Sequence, residues 1–383
     1  MAKETNIPTY EKDVTDVIRR FDERDNVFAR EELAQYFGED SPEFDQYYSL
    51  RPEFLKPDTK RNKRPSRSWA GGIDNSMSDA MFSYIDRISS EKFVDGTPND
   101  VVTKLTPERA QYKVKALARA LGADLVKTGP LRQEWVYSTV GRSHGNQAGY
   151  QPLGTPIDLK HHTNAIALGF RIDYDMLQTA PDFACLLATM IEYSKAAWAT
   201  VQLADYIRRL GYSARAHHLK NYQVLAIPIA VDCGLGELSR AGYLMTKECG
   251  LWLRLSVVTT DLPLVHDSPV DIAAQSFCTS CQICAQVCPV GAIPEGDKTE
   301  HNGLLKWKAD ADKCLAFWYA HGTDCGLCMA ACPWSKPPNN AIHQTMASIA
   351  SVEGPHQRLM AAADKMAGRI TNKPSIPDYL ESD

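Results

Sequence analysis

The sequence predicts an α/β protein in which a layered core is followed by a separate cysteine-rich module. Apolar segments rich in β-branched residues alternate with segments of helical periodicity between residues 106 and 271, as in layered α/β cores. Eight of the eleven cysteines lie beyond those segments, in residues 278–332. The chain has 383 residues, enough for two or three units with their own hydrophobic cores.

These changes in composition and periodicity divide the chain into four parts. Residues 1–105 are polar and turn-rich, and we expect them to form an N-terminal extension that wraps the core. Residues 106–271 form the α/β core, residues 272–340 the cysteine-rich module and residues 341–383 a polar, helical tail. Within the extension, residues 41–54 (SPEFDQYYSLRPEF) are predicted to be extended.

The core contains clear helix and strand signals. A helix is predicted to begin at Pro107 and to end before Gly122, and a longer one covers residues 185–211 with Gly211 at its end. Strands are predicted where short apolar runs are bounded by turn residues. These runs are residues 123–129, 164–174, 222–234 and 251–264.

Composition excludes several classes of protein. The formal net charge is −5, so the sequence lacks the basic footprint of a nucleic-acid-binding protein. No apolar run reaches the length of a membrane span, and no apolar segment of a secretory signal follows the N-terminus. We therefore expect a cytoplasmic protein, or one whose leader has been trimmed, with neither a nucleic-acid partner nor a membrane segment.

Two cysteine motifs carry the strongest chemical signal. Residues 278–289 (CTSCQICAQVCP) have the C-x2-C-x2-C-x3-C-P spacing of bacterial two-cluster ferredoxins. Residues 314–333 (CLAFWYAHGTDCGLCMAACP) supply the second motif that such a module requires. In two-cluster ferredoxins the fourth cysteine of a motif binds the other cluster. The sequence therefore predicts a bacterial-ferredoxin-like module with two 4Fe–4S clusters.

If the fourth cysteine of each motif binds the cluster of the other motif, the eight cysteines form two sets. The first set, for one cluster, is Cys278, Cys281, Cys284 and Cys332. The second set, for the other cluster, is Cys314, Cys325, Cys328 and Cys288. Structural zinc is the competing interpretation, since paired C-x2-C units also build zinc ribbons. The triple spacing and the two Cys-Pro endings favour iron–sulfur clusters.

A pair of clusters conducts electrons, so the rest of the chain should contain their destination. The glycine-rich residues 232–242 (DCGLGELSRAG) do not match the G-x-G-x-x-G dinucleotide fingerprint. They suggest a loop that approaches a large cofactor closely, and an ordinary turn is the alternative.

Taken together, several stretches resemble the corrinoid- and iron–sulfur-dependent reductive dehalogenases. They are YSKAAWATVQLADYIRRLGYSARA, NYQVLAIPIAVDCGLGELSRAGYLMT, LRLSVVTTDLPL and CGLCMAACPWSKP, with RFDERDNVFAR and YYSLRPEF near the N-terminus. The related epoxyqueuosine reductases share the cluster module and TDLPL, whereas GLGELSRAG and CPWSKP look more like the dehalogenases.

The resemblance implies a nitroreductase-like α/β core that binds base-off cobalamin, for which no cobalt-ligating residue is identified. It also implies a proton-donating tyrosine, Tyr193, supported by Asn221 and Arg254, with Lys220 or His218 as alternatives to Asn221. The corrinoid contacts are expected in the glycine-rich loop. They are Gly234, Gly236, Glu237 and Arg240.

The implied function is reductive dehalogenation, in which a small organohalide exchanges its halogen for hydrogen. Electrons would come from an external low-potential donor of the ferredoxin or flavodoxin type. Two alternatives remain at this point: a tRNA-modifying enzyme like the epoxyqueuosine reductases, and a non-catalytic corrinoid or electron-transfer protein.

Overall fold

The computed structural model describes residues 3–62 and 73–335, together with Ile349, Gly354, His356, Gln357 and Met360. The predicted C-terminal tail, residues 341–383, lies outside the described residues apart from those five positions.

Helices occur in every described part of the chain. The α-helices are α1 (Val27–Glu32), α2 (Pro42–Leu50), α3 (Pro52–Asn62), α4 (Ile73–Ile88), α5 (Glu91–Val94), α6 (Pro107–Ala120), α7 (Tyr174–Gln178), α8 (Phe183–Arg209), α9 (Ala226–Asp232), α10 (Ala274–Ser280), α11 (Ile283–Gln286), α12 (Ala311–His321) and α13 (Leu327–Ala330).

The strands are short outside the central sheet. They are β1 (Lys3–Glu4), β2 (Leu125–Pro130), β3 (Asn164–Arg171), β4 (Ala214–His217), β5 (Glu237–Leu238), β6 (Leu244–Met245), β7 (Leu253–Thr260), β8 (Val270–Asp271), β9 (Thr299–His301) and β10 (Leu304–Lys306).

A four-stranded antiparallel sheet, in the order β2-β3-β7-β4, forms the centre of the core. Strand β3 is buried along nearly its whole length, so both of its faces are covered. Ile166 and Leu168 pack with α6 and α8, whereas Ala165 and Ala167 share the opposite cluster with α9. Because side chains alternate along a strand, the sheet separates two hydrophobic layers. The predicted α/β fold is confirmed.

Helix α9 corrects one strand prediction. Residues 222–234 were predicted to be a strand, but Ala226–Asp232 form a helix. Pro228 lies in the first turn, where its missing N–H costs nothing, and Gly234 ends the helix at φ +84°. A short apolar run does not by itself distinguish a buried strand from a buried helix.

A second prediction differs from the structure, and one strand was missed. Residues 41–54 were expected to be extended, yet α2 begins there, with the Ser41 hydroxyl accepting from the Phe44 N–H and Pro42 in the first turn. These are ordinary helix-start signals. Strand β4, which follows Gly211, was not among the predicted strands.

The N-terminal extension contacts both other parts of the molecule. Strand β1 pairs with β8, and the Thr15 N–H donates to the Gly303 carbonyl in the turn between β9 and β10. Farther along, Arg30 forms an ion pair with Asp312 on α12. The extension therefore joins the core to the helix that carries Cys314.

Over the described residues, we find no helix with both the length and the apolarity that crossing a bilayer requires.

Candidate active site and cluster-binding module

The first cysteine set lies at one end of the module. Cys278 is on α10, Cys281 follows that helix, Cys284 is on α11 and Cys332 follows α13. Burial raises the pKa of the Cys332 thiol well above its usual value, and the charges of the other three thiols raise it further. The fourth cysteine of the second motif therefore lies beside the first three cysteines of the first motif.

The second set shows the reciprocal arrangement. Burial raises the pKa of the Cys314 thiol to about 12, and the charges of Cys325 and Cys288 add to the rise. All four thiols line a cavity of about 50 Å³. A metal cluster bound by these four thiolates would occupy that cavity.

The thiols thus fall into the two crossed groups that the spacing predicts. Within the described residues, no three His, Cys, Asp or Glu side chains converge closely enough to hold a single metal ion. Cys284 and Cys328 come close enough for their charges to interact, so the two groups adjoin each other. The assignment of individual iron ligands stays a prediction.

Arg254 links strand β7 to helix α8. Its Nη2 donates to the Thr189 Oγ1 at 2.8 Å, and its Cζ lies 5.0 Å from the centre of the Tyr193 ring. Thr189 and Tyr193 are four residues apart on α8, so they share one face of the helix. The structure therefore brings together two of the predicted catalytic residues, Tyr193 and Arg254.

Asp324 connects this pair to the second cysteine set. Its Oδ2 is 3.6 Å from Arg254 Nη2, and it directly precedes Cys325. Burial lowers the pKa of Arg254, but the charges of Tyr193 and Asp324 outweigh that effect and raise it. Arg254 Nε and Asp324 Oδ1 are buried without a hydrogen-bond partner among the described residues. The arginine is thus a fixed cation between the tyrosine and the second set.

Asn221 is engaged elsewhere. Its Nδ2 donates to the Ser89 carbonyl at 2.7 Å and to Glu91, and its Oδ1 accepts from Arg215. Tyr222 is one of the residues near Tyr193. Its hydroxyl donates to the Leu255 carbonyl at 2.7 Å. Burial raises the pKa of Tyr222, and the charge of Tyr193 raises it further. The role of Asn221 stays a prediction to which these contacts lend no support.

Lys220 and His218, the alternatives to Asn221, also have other contacts. Lys220 Nζ lies 3.9 Å from Glu32, and His218 Nδ1 is 2.9 Å from the Leu219 carbonyl oxygen. Neither contact involves Tyr193.

The four predicted corrinoid contacts lie where the core meets the cluster module. A Cβ on Gly234 would be 2.1 Å from the Ser268 carbonyl oxygen, and one on Gly236 would be 2.0 Å from that of Met245. The close approach that the glycines permit is therefore to protein backbone.

The two charged members of this group also bind protein. Glu237 Oε1 accepts from the Ile272 N–H at 2.6 Å and from the Ala274 N–H at the start of α10. Arg240 donates to three carbonyl oxygens of the cluster module, including that of Cys278. As placed, these residues do not form a cradle for a corrinoid, and their assignment as cofactor contacts stays a prediction.

Sequence reasoning missed three residues of the site: Thr189, Tyr222 and Asp324. Thr189 could have been found, since it precedes Tyr193 by one helical turn. Asp324 stands next to a cluster cysteine, which was a usable signal. Tyr222 gave no signal of its own, because its position depends on how the chain runs between β4 and α9.

The fold and the thiol grouping define a class of protein: an α/β core carrying a two-cluster iron–sulfur module. The family model described as "4Fe-4S dicluster domain" matches residues 277–336. This match supports iron–sulfur clusters in the module.

Particular proteins of this class are similar to the chain. The tetrachloroethene reductive dehalogenase of Sulfurospirillum multivorans is 34% identical over 250 residues, which are 58% of this chain and 50% of the relative. That of Dehalobacter restrictus is 31% identical, over 60% of this chain and 48% of the relative. The chain therefore spans about half the length of these relatives.

A solved structure extends the similarity to nearly the whole chain. The K488Q variant of the catabolic reductive dehalogenase NpRdhA superposes with a TM-score of 0.78 at 26% identity, covering 96% of this chain and 49% of that one. The epoxyqueuosine reductase of Lactococcus garvieae is 27% identical over only 31% of this chain and 34% of its own length. The resemblance to reductive dehalogenases is thereby confirmed, and the epoxyqueuosine reductases are more distant relatives.

Proposed function

We propose that the protein is a reductive dehalogenase, which replaces the halogen of a small organohalide by hydrogen. The overall reaction consumes two electrons and one proton and releases a halide ion. The observation that carries the proposal is the position of Arg254, between the Tyr193 ring and the aspartate that precedes Cys325. Electron delivery and proton donation would then meet at one place.

The two cysteine sets would hold the two 4Fe–4S clusters. Their grouping fits two four-thiolate sites, and the second set borders Arg254 through Asp324. Electrons from an external low-potential donor would reach the site through the second cluster.

Cobalamin enters the proposal through the resemblance to reductive dehalogenases. When bound, it would supply the reduced cobalt that reacts with the carbon–halogen bond. The residues first expected to contact it are engaged in the protein, so no step here depends on them.

Tyr193 is the proposed proton donor. It is half-buried on α8, and Arg254 lies within the distance at which a cation interacts with an aromatic ring. A fixed positive charge favours the tyrosinate that remains after the proton has moved to carbon. Thr189 and Asp324 would hold the arginine in place.

A cytoplasmic location is part of the proposal. The electron donor would then be a cytoplasmic ferredoxin or flavodoxin.

The test is metal analysis followed by halide release. Protein purified without oxygen should contain about eight irons and one cobalt per chain if two cubanes and one cobalamin bind. With a chemically reduced viologen as donor, it should release halide from tetrachloroethene or from 3-bromo-4-hydroxybenzoic acid. NpRdhA has been solved in complex with the latter compound.

The outcomes separate the alternatives. Zinc in place of iron would contradict the cluster assignment. Loaded protein that releases no halide from a panel of aryl, alkenyl and alkyl halides would instead be a carrier of electrons or corrinoid. Reduction of epoxyqueuosine in a tRNA stem loop would identify the other enzyme class.

A further inference from the structure

Arg240 is a buried arginine that ties the core to the first cluster. Only 2% of it is exposed. Its Nε donates to the Cys278 carbonyl at 2.9 Å, and its Nη1 donates to the carbonyls of Pro294 and Gly296 at 2.8 Å each. It thus binds both helix α10, which carries Cys278, and the loop that follows the first cysteine motif.

The charge of Arg240 has no carboxylate partner. Within the part of the chain that the structure describes, no Asp or Glu lies within ion-pair distance of it. Its other neighbour is the Trp307 ring, 4.4 Å from Cζ. Lys298 lies near the same ring, but it is paired with Asp13 at 2.6 Å. Burying an unpaired cation is costly, so a negative group nearby is needed to offset it.

The first cysteine set provides that negative group. Cys278, the first member of this set, is buried and accepts the Arg240 Nε hydrogen bond at its own carbonyl, so the guanidinium lies directly beside this cysteine. A cubane with four thiolate ligands carries net negative charge, which grows by one unit on reduction. A fixed cation beside it therefore stabilises the reduced form more than the oxidised form.

We propose that Arg240 raises the reduction potential of the first cluster, so that this cluster receives and stores the first of the two electrons. The geometry gives the second cluster the opposite neighbour, the Asp324 carboxylate, although Arg254 partly offsets that charge. The second cluster also borders Tyr193 through Arg254, so the first is the more distant one. One electron from the external donor reduces it, and it passes that electron on when the second arrives.

This inference rests on the two clusters of the proposed function, but its test does not require dehalogenation. The experiment is a redox titration of the reconstituted full chain, followed by electron paramagnetic resonance. Arg240→Gln removes the charge, and Arg240→Lys keeps it while losing the forked hydrogen bonds. Arg20→Gln is the matched control, since Arg20 also donates to three main-chain carbonyls, those of Val136, Tyr137 and Ile157.

We expect Arg240→Gln to lower the midpoint of the first cluster so that its reduction equilibrium falls at least about tenfold, or about 59 mV for one electron. Arg240→Lys and Arg20→Gln should leave the midpoint near that of the wild type. An unchanged midpoint in Arg240→Gln would overturn the proposal. An equal fall in the Lys and Gln variants would also overturn it, since the hydrogen bonds rather than the charge would then matter.

A second pair of variants keeps the proposal testable if Arg240→Gln does not hold its cluster. A Cβ on Gly296 would meet nothing within 4 Å, so this position tolerates a side chain. Gly296 supplies one of the carbonyls that Arg240 binds, so Gly296→Asp would add a negative charge to this loop, and Gly296→Asn has the same shape without the charge. The Asp variant should have the lower first-cluster midpoint, and equal midpoints would contradict the role of the Arg240 charge.

Discussion

At the scale of single residues, the site depends on how Arg254 is held. Three groups define its position: the Thr189 hydroxyl, the Asp324 carboxylate and the Tyr193 ring. A guanidinium can serve several partners at once because its donors lie in a rigid plane, whereas an ammonium group is a single flexible point charge. The proposal therefore requires an arginine at this position, and not merely a cation.

Arg254→Lys tests this requirement. The variant keeps the positive charge but loses the geometry, and we expect halide release to fall roughly 100-fold, the scale of a 1 Å misplacement. Iron content should not change. Arg171→Lys is the control, since Arg171 pairs with Asp124 on the surface at the end of β3. Wild-type rates in Arg254→Lys would contradict a positioned guanidinium.

At the scale of elements, the junction between α9 and the cluster module depends on close backbone contact. Gly236 packs against the carbonyl of Met245 across the β5–β6 pair. Any side chain at Gly236 would have to push the Met245 main chain away. Moving main chain costs more free energy than moving a flexible side chain. The glycine-rich loop thus serves close backbone packing between the core and the cluster module in this chain.

Gly236→Ala should therefore destabilise the protein by about 3 kcal/mol. Gly296→Ala is its matched control, because neither glycine has a positive φ and a Cβ at Gly296 would be free of contacts. The measurement is the free energy of unfolding in urea under anaerobic conditions. If the Gly236→Ala protein were as stable as the control, the close backbone contact at Gly236 would not be needed for stability.

A buried histidine just before strand β3 is another element-level feature. His162 is buried between the Thr259 and Ser213 hydroxyls, 2.8 Å from each, and burial lowers its pKa to about 4. The unfolded chain takes up this proton near pH 6.5, whereas the folded protein does so only near pH 4. His162 therefore reduces stability progressively as the pH falls from 6.5 to 4.

Buried carboxyls act in the opposite direction, so the effect of His162 must be isolated. Burial raises the pKa of Glu31 and that of Glu237 to about 7, and both carboxyls favour the folded state as the pH falls. We expect the stability advantage of wild type over His162→Gln to shrink by about 2 kcal/mol between pH 7 and pH 5. Urea unfolding at the two pH values measures this. A constant difference would contradict a neutral buried His162.

The elements also show what a sequence can predict. Spacing alone predicted two cysteine sets, and the structure brings the thiols of each set near one another, while the iron ligands themselves stay a prediction. Helix α8 and strands β2, β3 and β7 followed from length and periodicity. Residues 226–232 were misassigned because a short, mostly apolar segment fits a strand or a helix, and packing against the sheet decides between them. The position of Asn221 depended on tertiary contacts to Ser89 and Arg215, which no local pattern encodes.

At the scale of the whole molecule, the described parts form a path from the cluster module to the core. Arg240 binds the backbone beside the first cysteine set, the second set adjoins the first through Cys284 and Cys328, and Asp324 links the second set to Arg254. Under the proposed function, this order would carry electrons and a proton to one site.

Cys288→Ser tests the crossing on which the path depends. Cys288 belongs to the first motif but lies with Cys314 and Cys325. The variant should lose or convert the second cluster while the first keeps its spectrum. Cys233→Ser is the control, since Cys233 is buried against β3 and far along the chain from both motifs. Loss of the first cluster alone would contradict the crossed assignment.

The most direct test of the central claim is the rate of halide release by Tyr193→Phe, compared with that by Tyr206→Phe on the same helix. We expect the first variant to retain its iron and cobalt yet lose turnover, because the phenyl ring has no proton to donate. The second should match the wild type. Full turnover by cofactor-loaded Tyr193→Phe would contradict proton donation from this residue.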